Sequence, residues 1–271
     1  MSSYTITHTA TESDFIFNLS PPIHLDPNKK YEAALLSVNL YNSISNVTGD
    51  NNKFKYSNDS GQTWKIITFN KGSYEIQAIS DEIQRQMILN GDYDIINKEF
   101  YITVSADIPE LKSIINITNK SYLVDFDVEN SIGSTLGFDF AQHDHKMIGY
   151  GYNKSHDIVD ITKTNLVLIN VSFISGSYVN GYELPAIYSF DPYKVPPGYK
   201  LDDRPNPSLT YYPVNEREKL NSIRIWLTDQ NSKPIDLRGE RVTIKIQIRE
   251  VINIKKEIKR AIKELKAEKF L

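Results

Sequence analysis

Ser222–Arg249 reads SIRIWLTDQNSKPIDLRGERVTIKIQIR, and its alternation decides the fold class. In the second half, Val242, Ile244, Ile246 and Ile248 alternate with Thr243, Lys245, Gln247 and Arg249. A period of two places successive side chains on opposite faces of a strand, so the four aliphatics share one face. In the first half, Ile223, Ile225 and Leu227 alternate in the same way with Arg224, Trp226 and Thr228. Asp229–Pro234 is turn chemistry, and Arg238-Gly239-Glu240 makes a second break before the last strand. Burying each β-branched side chain is worth roughly 1.5–3 kcal/mol before the entropy of ordering is subtracted. Strands greasy on one face and charged on the other need a second sheet to pack against.

Outward from this stretch, the chain reads as more strands. Residues 1–13 are polar and are expected as an extended arm. Phe15, Phe17 and Leu19 alternate in a short strand that is expected to stop at Pro21-Pro22. Tyr31–Tyr41 has a nearly continuous apolar middle, which predicts a central strand buried on both faces. Lys53–Phe69 predicts a hairpin turning at Asn58–Gly61. A helix follows Gly72, with Ser73 as its expected cap, Glu75 in its first turn, and Ile76, Ile79, Ile83 and Met87 on one face. Asn90-Gly91 should end it.

Short strands are expected at Phe100–Ser105, Ser113–Ile117 and Tyr122–Val128. A single helical turn is expected at Ser131–Phe138, followed by a polar loop over residues 139–157. Asn165–Ile174 is a strongly apolar strand. Ser175–Pro213 is expected to be a long excursion with one embedded strand, Ala186–Phe190. The whole predicts an all-β chain: a β-sandwich, a single jelly roll with decorated loops and one or two short helices. The jelly-roll domain is expected over residues 14–250, after the arm of residues 1–13 and before a basic tail of residues 251–271.

Composition narrows the function classes. The 271 residues are 40% hydrophobic, enough for a core, and no apolar run approaches the roughly 18 residues a membrane span needs. The N-terminal stretch lacks the basic and apolar segments of a secretory signal. With no cysteine, disulfides and thiolate metal sites are excluded, which fits assembly in a reducing host compartment. The net charge of −3 is unevenly placed, because residues 252–271 hold seven basic side chains and three glutamates. There Ile254, Ile258, Ala261, Ile262 and Leu265 form one stripe of an expected amphipathic helix. Lys255, Lys256, Lys259, Arg260, Lys263 and Lys266 surround that stripe and are candidates for contact with a partner or nucleic acid. The tail's other destinations are its own domain, a bundle with other copies, and a membrane interface, the last disfavoured by the lack of an aromatic before Phe270.

Each chemical motif has a plainer structural reading. Ser57–Trp64 matches the S-x-D-x-G-x-T-W Asp-box, which shapes a hairpin turn even in the sialidases that carry it. His143, His145 and His156 have metal-ligand chemistry but no acidic helix partner, so exposed loop histidines are the preferred reading. Asp125, Asp127 and Glu129 line one predicted strand face, where i, i+2 spacing of about 6.5 Å fits an acid pair or a Ca²⁺ site as well as a solvated face. No nucleophile elbow, phosphate-cradling loop or Cys-His arrangement is present. No catalytic, cofactor or metal residue is therefore assigned. Tyr178, Tyr182, Tyr188, Tyr193, Tyr199, Tyr211 and Tyr212 crowd the long excursion. Aromatics in loops anchor protein interfaces or stack on sugars, so Tyr178, Tyr182, Tyr193, Tyr199, Tyr211 and Tyr212 are candidate interface residues, with a glycan-binding, lectin-like sandwich as the alternative.

Seven segments in order carry a resemblance: DPNKKYEAAL at Asp26–Leu35, NNKFKYSNDSGQTW at Asn51–Trp64, GSYEIQAISDEIQRQM at Gly72–Met87, VDFDVENSIGSTLGFD at Val124–Asp139, ISGSYVNG at Ile174–Gly181, VPPGYK at Val195–Lys200, and the closing strands. Together they resemble the minor capsid, penton-like proteins of Polinton (Maverick) elements and their adintovirus-type relatives. The resemblance spans residues 14–250 and consists of packing and turn patterns. It implies a non-catalytic jelly roll in the virion, assembled as a homopentamer at shell vertices and touching a major capsid protein. By its charge, a basic tail on an acidic shell subunit is expected to point inward to packaged DNA; no cofactor is expected, and membrane contact is disfavoured. The family pattern does not account for residues 251–271.

Overall fold

The structure is a computed structural model that describes residues 2–138, 147–216 and 218–252. The strands longer than two residues are, up to the first helix, β1 (Ser3–Ala10), β2 (Asp14–His24), β3 (Tyr31–Tyr41), β4 (Lys53–Ser57) and β5 (Lys65–Thr68). After the helix α1 (Ile76–Leu89) come β6 (Ile102–Asp107), β7 (Lys112–Ile117), β8 (Leu123–Asp125), β9 (Gly151–Lys154) and β10 (Val167–Val171). The remainder are β11 (Ala186–Phe190), β12 (Lys200–Asp203), β13 (Lys219–Asp229) and β14 (Val242–Glu250). The chain divides into two compact units, one of residues 1–42 and 165–271, the other of residues 43–164.

The first unit is the jelly roll. One sheet runs β1-β14-β3-β12 and the other β11-β10-β13-β2, antiparallel throughout. Along the chain, successive strands switch sheet at every step but one, β10 to β11, which wraps the ribbon into a two-sheet roll. The alternating residues behave as their period dictates: Val242, Ile244, Ile246 and Ile248 are buried, as are Ile223, Ile225 and Leu227. β13 and β14 nevertheless do not pair with each other, since they lie in opposite sheets. Their connection starts as a tight turn in which the Asp229 carboxylate accepts the N–H groups of Asn231 and Lys233. It then buries Ile235 and Leu237 on its way across. β3 is central, paired with β14 along one edge and with β12 along the other, which accounts for its continuous apolar middle.

Three expectations need correction in this unit. Within the expected extended arm of residues 1–13, residues 3–10 are a strand of the sheet, in full register with β14 from Ser3↔Arg249 to Ala10↔Val242. Their inward side chains are Tyr4, Ile6, His8 and Ala10, so only one strong aliphatic marks the pattern. β2 does not stop at Pro21-Pro22 but runs on to His24. It is an edge strand, and its register with β13 shifts between Leu220 and Ser222, so the missing proline N–H groups interrupt no central ladder. The Ser175–Pro213 excursion contributes the sheet strand β12 and a Tyr178–Val179/Tyr182–Glu183 ribbon besides β11.

The second unit interrupts the jelly roll between β3 and β10, so the expected domain of residues 14–250 is not one compact body. Its sheets run β8-β4-β5, with Met147–Ile148 beside β8, and β9-β7-β6. Its core gathers Phe54, Tyr56, Ile67 and Phe69 from the hairpin, Ile79, Ile83 and Met87 from α1, and Ile102, Val104, Ile115 and Ile117 from β6 and β7. The Ser80 hydroxyl accepts the Val104 N–H at 3.0 Å and so fixes α1 on β6. Glu75 occupies the N-cap position without a side-chain bond, while the Ser73 hydroxyl, expected to cap, donates to the Ile44 carbonyl. The far end closes as expected: the Asp92 N–H reaches back to the Met87 carbonyl at 2.8 Å, with Gly91 at φ +74°. Leu136 N–H bonds to Ile132 O at 3.1 Å, forming the single turn expected there.

Candidate interaction surface

The tyrosines of the excursion separate into three settings. Tyr178 and Tyr182 flank an Asn180-Gly181 turn whose φ angles, +51° and +83°, are those of a two-residue hairpin. Tyr178 pairs with Glu183 and Val179 with Tyr182, so the two rings project from opposite faces of the ribbon, 69% and 76% exposed. The ribbon is tied down by Asn180 Nδ2, which donates to the Gln230 carbonyl at 3.1 Å. Tyr199 is also exposed, at a turn where its carbonyl accepts the Asn42 N–H. Tyr193 is half-buried beside the turn that Asp191 caps.

The second setting is structural. The Tyr188 hydroxyl on β11 donates to Asp203 Oδ2 on β12 at 3.0 Å, and Lys194 Nζ meets Asp203 Oδ1 at 2.8 Å. β11 and β12 belong to different sheets, so this clasp closes one side of the sandwich. Burial, with the neighbouring Asp203 carboxylate, pushes the Tyr188 phenol up to about 12.

The third setting lies on the β1-β14-β3 sheet. Arg249 stacks its guanidinium 3.4 Å from the Tyr211 ring centroid and pairs with Glu32 at 2.6 Å. The Tyr211 hydroxyl donates to Gln247 Oε1 at 2.8 Å, and Gln247 Nε2 donates to Ser3 Oγ at 3.0 Å. This chain of contacts walks across three strands on the polar face that the β14 alternation predicts. Sequence reading missed it because Arg249 meets Glu32 only through the β14–β3 register, which pairs those two residues. Beside it opens a groove of about 580 Å³ of mixed character, walled by Tyr31, Tyr211 and Val251 and by the charged Lys29, Lys30 and Glu216. Tyr212 starts the short pairing with Ala33 just before that wall.

The carboxylate row does not form. β8 ends at Asp125, because the Asp125 carboxylate takes the Asp127 N–H that would continue the ladder. Asp125 also pairs with Lys55 at 2.7 Å, and Lys55 lies 4.7 Å over the Trp64 ring. In the Asp-box turn, Asp59 accepts from the Thr63 hydroxyl and N–H and from the Ser57 hydroxyl, which hold its carboxyl down at about 2. Those bonds use the residue to shape a turn. The buried Asp92 carboxylate is likewise saturated, by Tyr56 OH, Asn58 Nδ2 and Lys65 Nζ. Burial and this carboxylate raise the Tyr56 phenol far above its ordinary value.

His143 and His145 lie outside the described residues, as do Lys255, Lys256, Lys259, Arg260, Lys263 and Lys266. His156 is exposed. Among the described residues, no three His, Cys, Asp or Glu side chains gather where they could hold a metal, and no helix is long and apolar enough to cross a membrane.

No protein-family model and no curated protein matches the sequence. Solved structures do. The crystal structure of selenomethionine-labelled mavirus penton protein matches with a TM-score of 0.51 at 12% identity, covering 93% of this chain and 100% of that one. A chain of the Sputnik virophage cryo-EM structure matches with a TM-score of 0.43 at 10% identity, covering 91% of this chain and 97% of that one. The resemblance expected from the sequence is met at the level of architecture: this chain has the fold of the mavirus penton protein along nearly its whole length.

Proposed function

We propose that this chain is a structural, non-enzymatic minor capsid protein of a Polinton-type virus or virus-like element, closing shell vertices as a homopentameric ring. The observation that carries the reading is the two-sheet jelly roll, interrupted by residues 43–164, in a chain whose fold matches that of a penton protein over 93% of its length. A ring needs a heterologous interface, in which one surface of a copy meets a different surface of the next. Exposed Tyr178, Tyr182 and Tyr199 on the jelly roll supply aromatic anchors for such contacts, or for contacts with a major capsid protein. The polar chemistry fits a brick: Asp59, Asp92, Asp125 and Asp203 are all spent on holding turns and strands. The basic residues of the tail are proposed to face packaged DNA in the virion.

Light scattering on the purified chain over a range of concentrations tests the ring, with a mass of five copies expected. A single-copy mass at every concentration, with or without an added major capsid protein, would overturn it. The exposed Tyr178/Tyr182 ribbon keeps one second reading, a glycan-binding module. A glycan array with signal abolished by Tyr182→Ala would favour that reading instead.

A further inference from the structure

The outer edge of β1 lacks the devices that keep a sheet edge from pairing, and we propose that two copies of this chain join there, β1 against β1, as an antiparallel pair about a two-fold axis at Ile6. β1 is the end strand of its sheet and pairs only with β14. Sheet edges are ordinarily blunted by charge, proline, irregular register or short length. The other three ends of the two jelly-roll sheets follow that rule. β2 carries Asp14, Pro21 and Pro22 and a register shift against β13. β12 is four residues long, with Lys200, Asp202 and Asp203. β11 is five residues long, and its register with β10 is irregular. β1 runs eight residues in unbroken register, with no Asp, Glu, Lys, Arg or Pro.

One bond shows which backbone groups face outward. Glu250 N–H donates to the Ser2 carbonyl at 3.0 Å, so Ser2 turns its backbone toward β14. In an antiparallel ladder, residues bonded to one neighbour alternate with residues turned away from it. Tyr4, Ile6, His8 and Ala10 therefore share the direction of Ser2, and Ser3, Thr5, Thr7 and Thr9 present their N–H and C=O groups at the free edge. Among the described residues, no other strand pairs with them.

The strand is also its own complement. About Ile6, the sequence sets Thr5 against Thr7, Tyr4 against His8 and Ser3 against Thr9. In a reversed second copy, Thr5 meets Thr7 and Ser3 meets Thr9, where opposed hydroxyls stabilise an antiparallel pair and no like charges face each other. These are the four residues whose backbone groups are free, so the new ladder bonds at every position it needs. On the inner face, Ile6 meets Ile6, and the Tyr4 ring meets the His8 ring. β1 is held ready for this: Thr9 and Thr243 hydroxyls lie 2.9 Å apart, Gln247 donates to Ser3 at 3.0 Å, and His8 stacks on Phe17 at 3.9 Å. Such a contact is isologous and closes on itself. It is small beside the roughly 1,200–2,000 Å² of a standard interface, so pairing is expected in concentrated protein. The inference does not rest on the vertex reading, because a two-fold pair and a five-fold ring differ in symmetry. The ring is counted on a chain whose β1 edge is blocked.

The absence of native cysteine lets cross-links report the register. Under mild oxidation, full chains carrying Thr5→Cys mixed with full chains carrying Thr7→Cys should give a two-copy disulfide roughly tenfold faster than either variant alone, because identical residues lie on the longer diagonal. Equal rates in the mixture and in the separate variants, or no cross-link, would overturn the proposal. Thr7→Pro removes an outward N–H and no bond to β14, so the fold should survive while pairing in sedimentation equilibrium weakens about tenfold. Thr5→Lys with Thr7→Lys sets lysines face to face and should abolish pairing without a backbone change. Self-association that neither variant reduces, or a chain that stays single at every concentration, would count equally against it.

Discussion

The two units reach a buried core by different routes. In the jelly roll, the inner strands of the two sheets do the work, and β3, β10, β13 and β14 together carry most of the buried aliphatics. In the residue 43–164 unit, strands of three to six residues surround one helix, and buried polar groups such as Asp92, Asn46, Asn51 and Ser80 fix the pieces to one another. Asn51 Nδ2, for example, reaches the Thr135 hydroxyl at 2.7 Å across 84 positions of sequence. The jelly roll should therefore be most sensitive to lost apolar volume and the insertion to lost polar partners. Each unit contains one tryptophan, Trp226 in the first and Trp64 in the second, so single-tryptophan variants report on each separately.

The largest expected effect is from Ile246→Ala, at a position 1% exposed in β14. Such a cavity costs about 2–5 kcal/mol, and denaturant unfolding followed at Trp226 should shift by that amount. A Trp226 midpoint that does not move would break the comparison from the jelly-roll side. Next is Asp92→Ala, which strands the Tyr56 hydroxyl and one lysine contact in the insertion. A cost of about 3 kcal/mol is expected at Trp64, reduced toward about 2 where Lys65 rehydrates. An equal loss at Trp64 from the apolar truncation Ile83→Ala would break the comparison from the insertion side.

Acid should separate the units by pH window. On the jelly roll, His8 stacks on Phe17 at a centroid distance of 3.9 Å, and burial lowers its pKa below 6.5. The folded form then binds fewer protons than the unfolded one, so its stability falls as pH drops through 6.5 and levels off below the lowered value. His8→Phe should flatten that step at Trp226. In the insertion, Asp59 and Asp94 are held at about 2 by hydrogen bonds from Thr63 and Ser57, and from Asn97, Tyr101 and Ile96, respectively. Their stabilisation is complete above about pH 4 and disappears as pH falls toward 2, and Asp59→Ala should remove part of that slope at Trp64. The smallest expected effect on folding is from Tyr182→Ala, within about 0.5 kcal/mol because the ring is exposed, although the proposed ring interface should weaken.

How much was legible follows from the same contrast. The period-two rows of β13 and β14, the apolar middle of β3, the α1 face and the Asn90-Gly91 stop are local patterns, and the structure places them as read. What stayed hidden depends on partners distant in sequence. β1 reads as an arm because a single isoleucine faces inward, and it becomes a strand only through its register with β14. Nothing within the turn between β13 and β14 reveals that the chain crosses between sheets there. The Arg249–Tyr211–Glu32 cluster joins three segments that are neighbours only once β14 lies beside β3. The candidate tyrosines were found as a composition, but composition does not reveal that Tyr211 packs under an arginine while Tyr178 and Tyr182 face outward.

The central claim is that this jelly roll serves as a repeating brick, and imaging tests it most directly. Negative-stain micrographs of the purified full chain, taken at increasing concentration and with a major capsid protein added, should show closed rings with five-fold symmetry. Isolated single particles under all of those conditions would contradict the account.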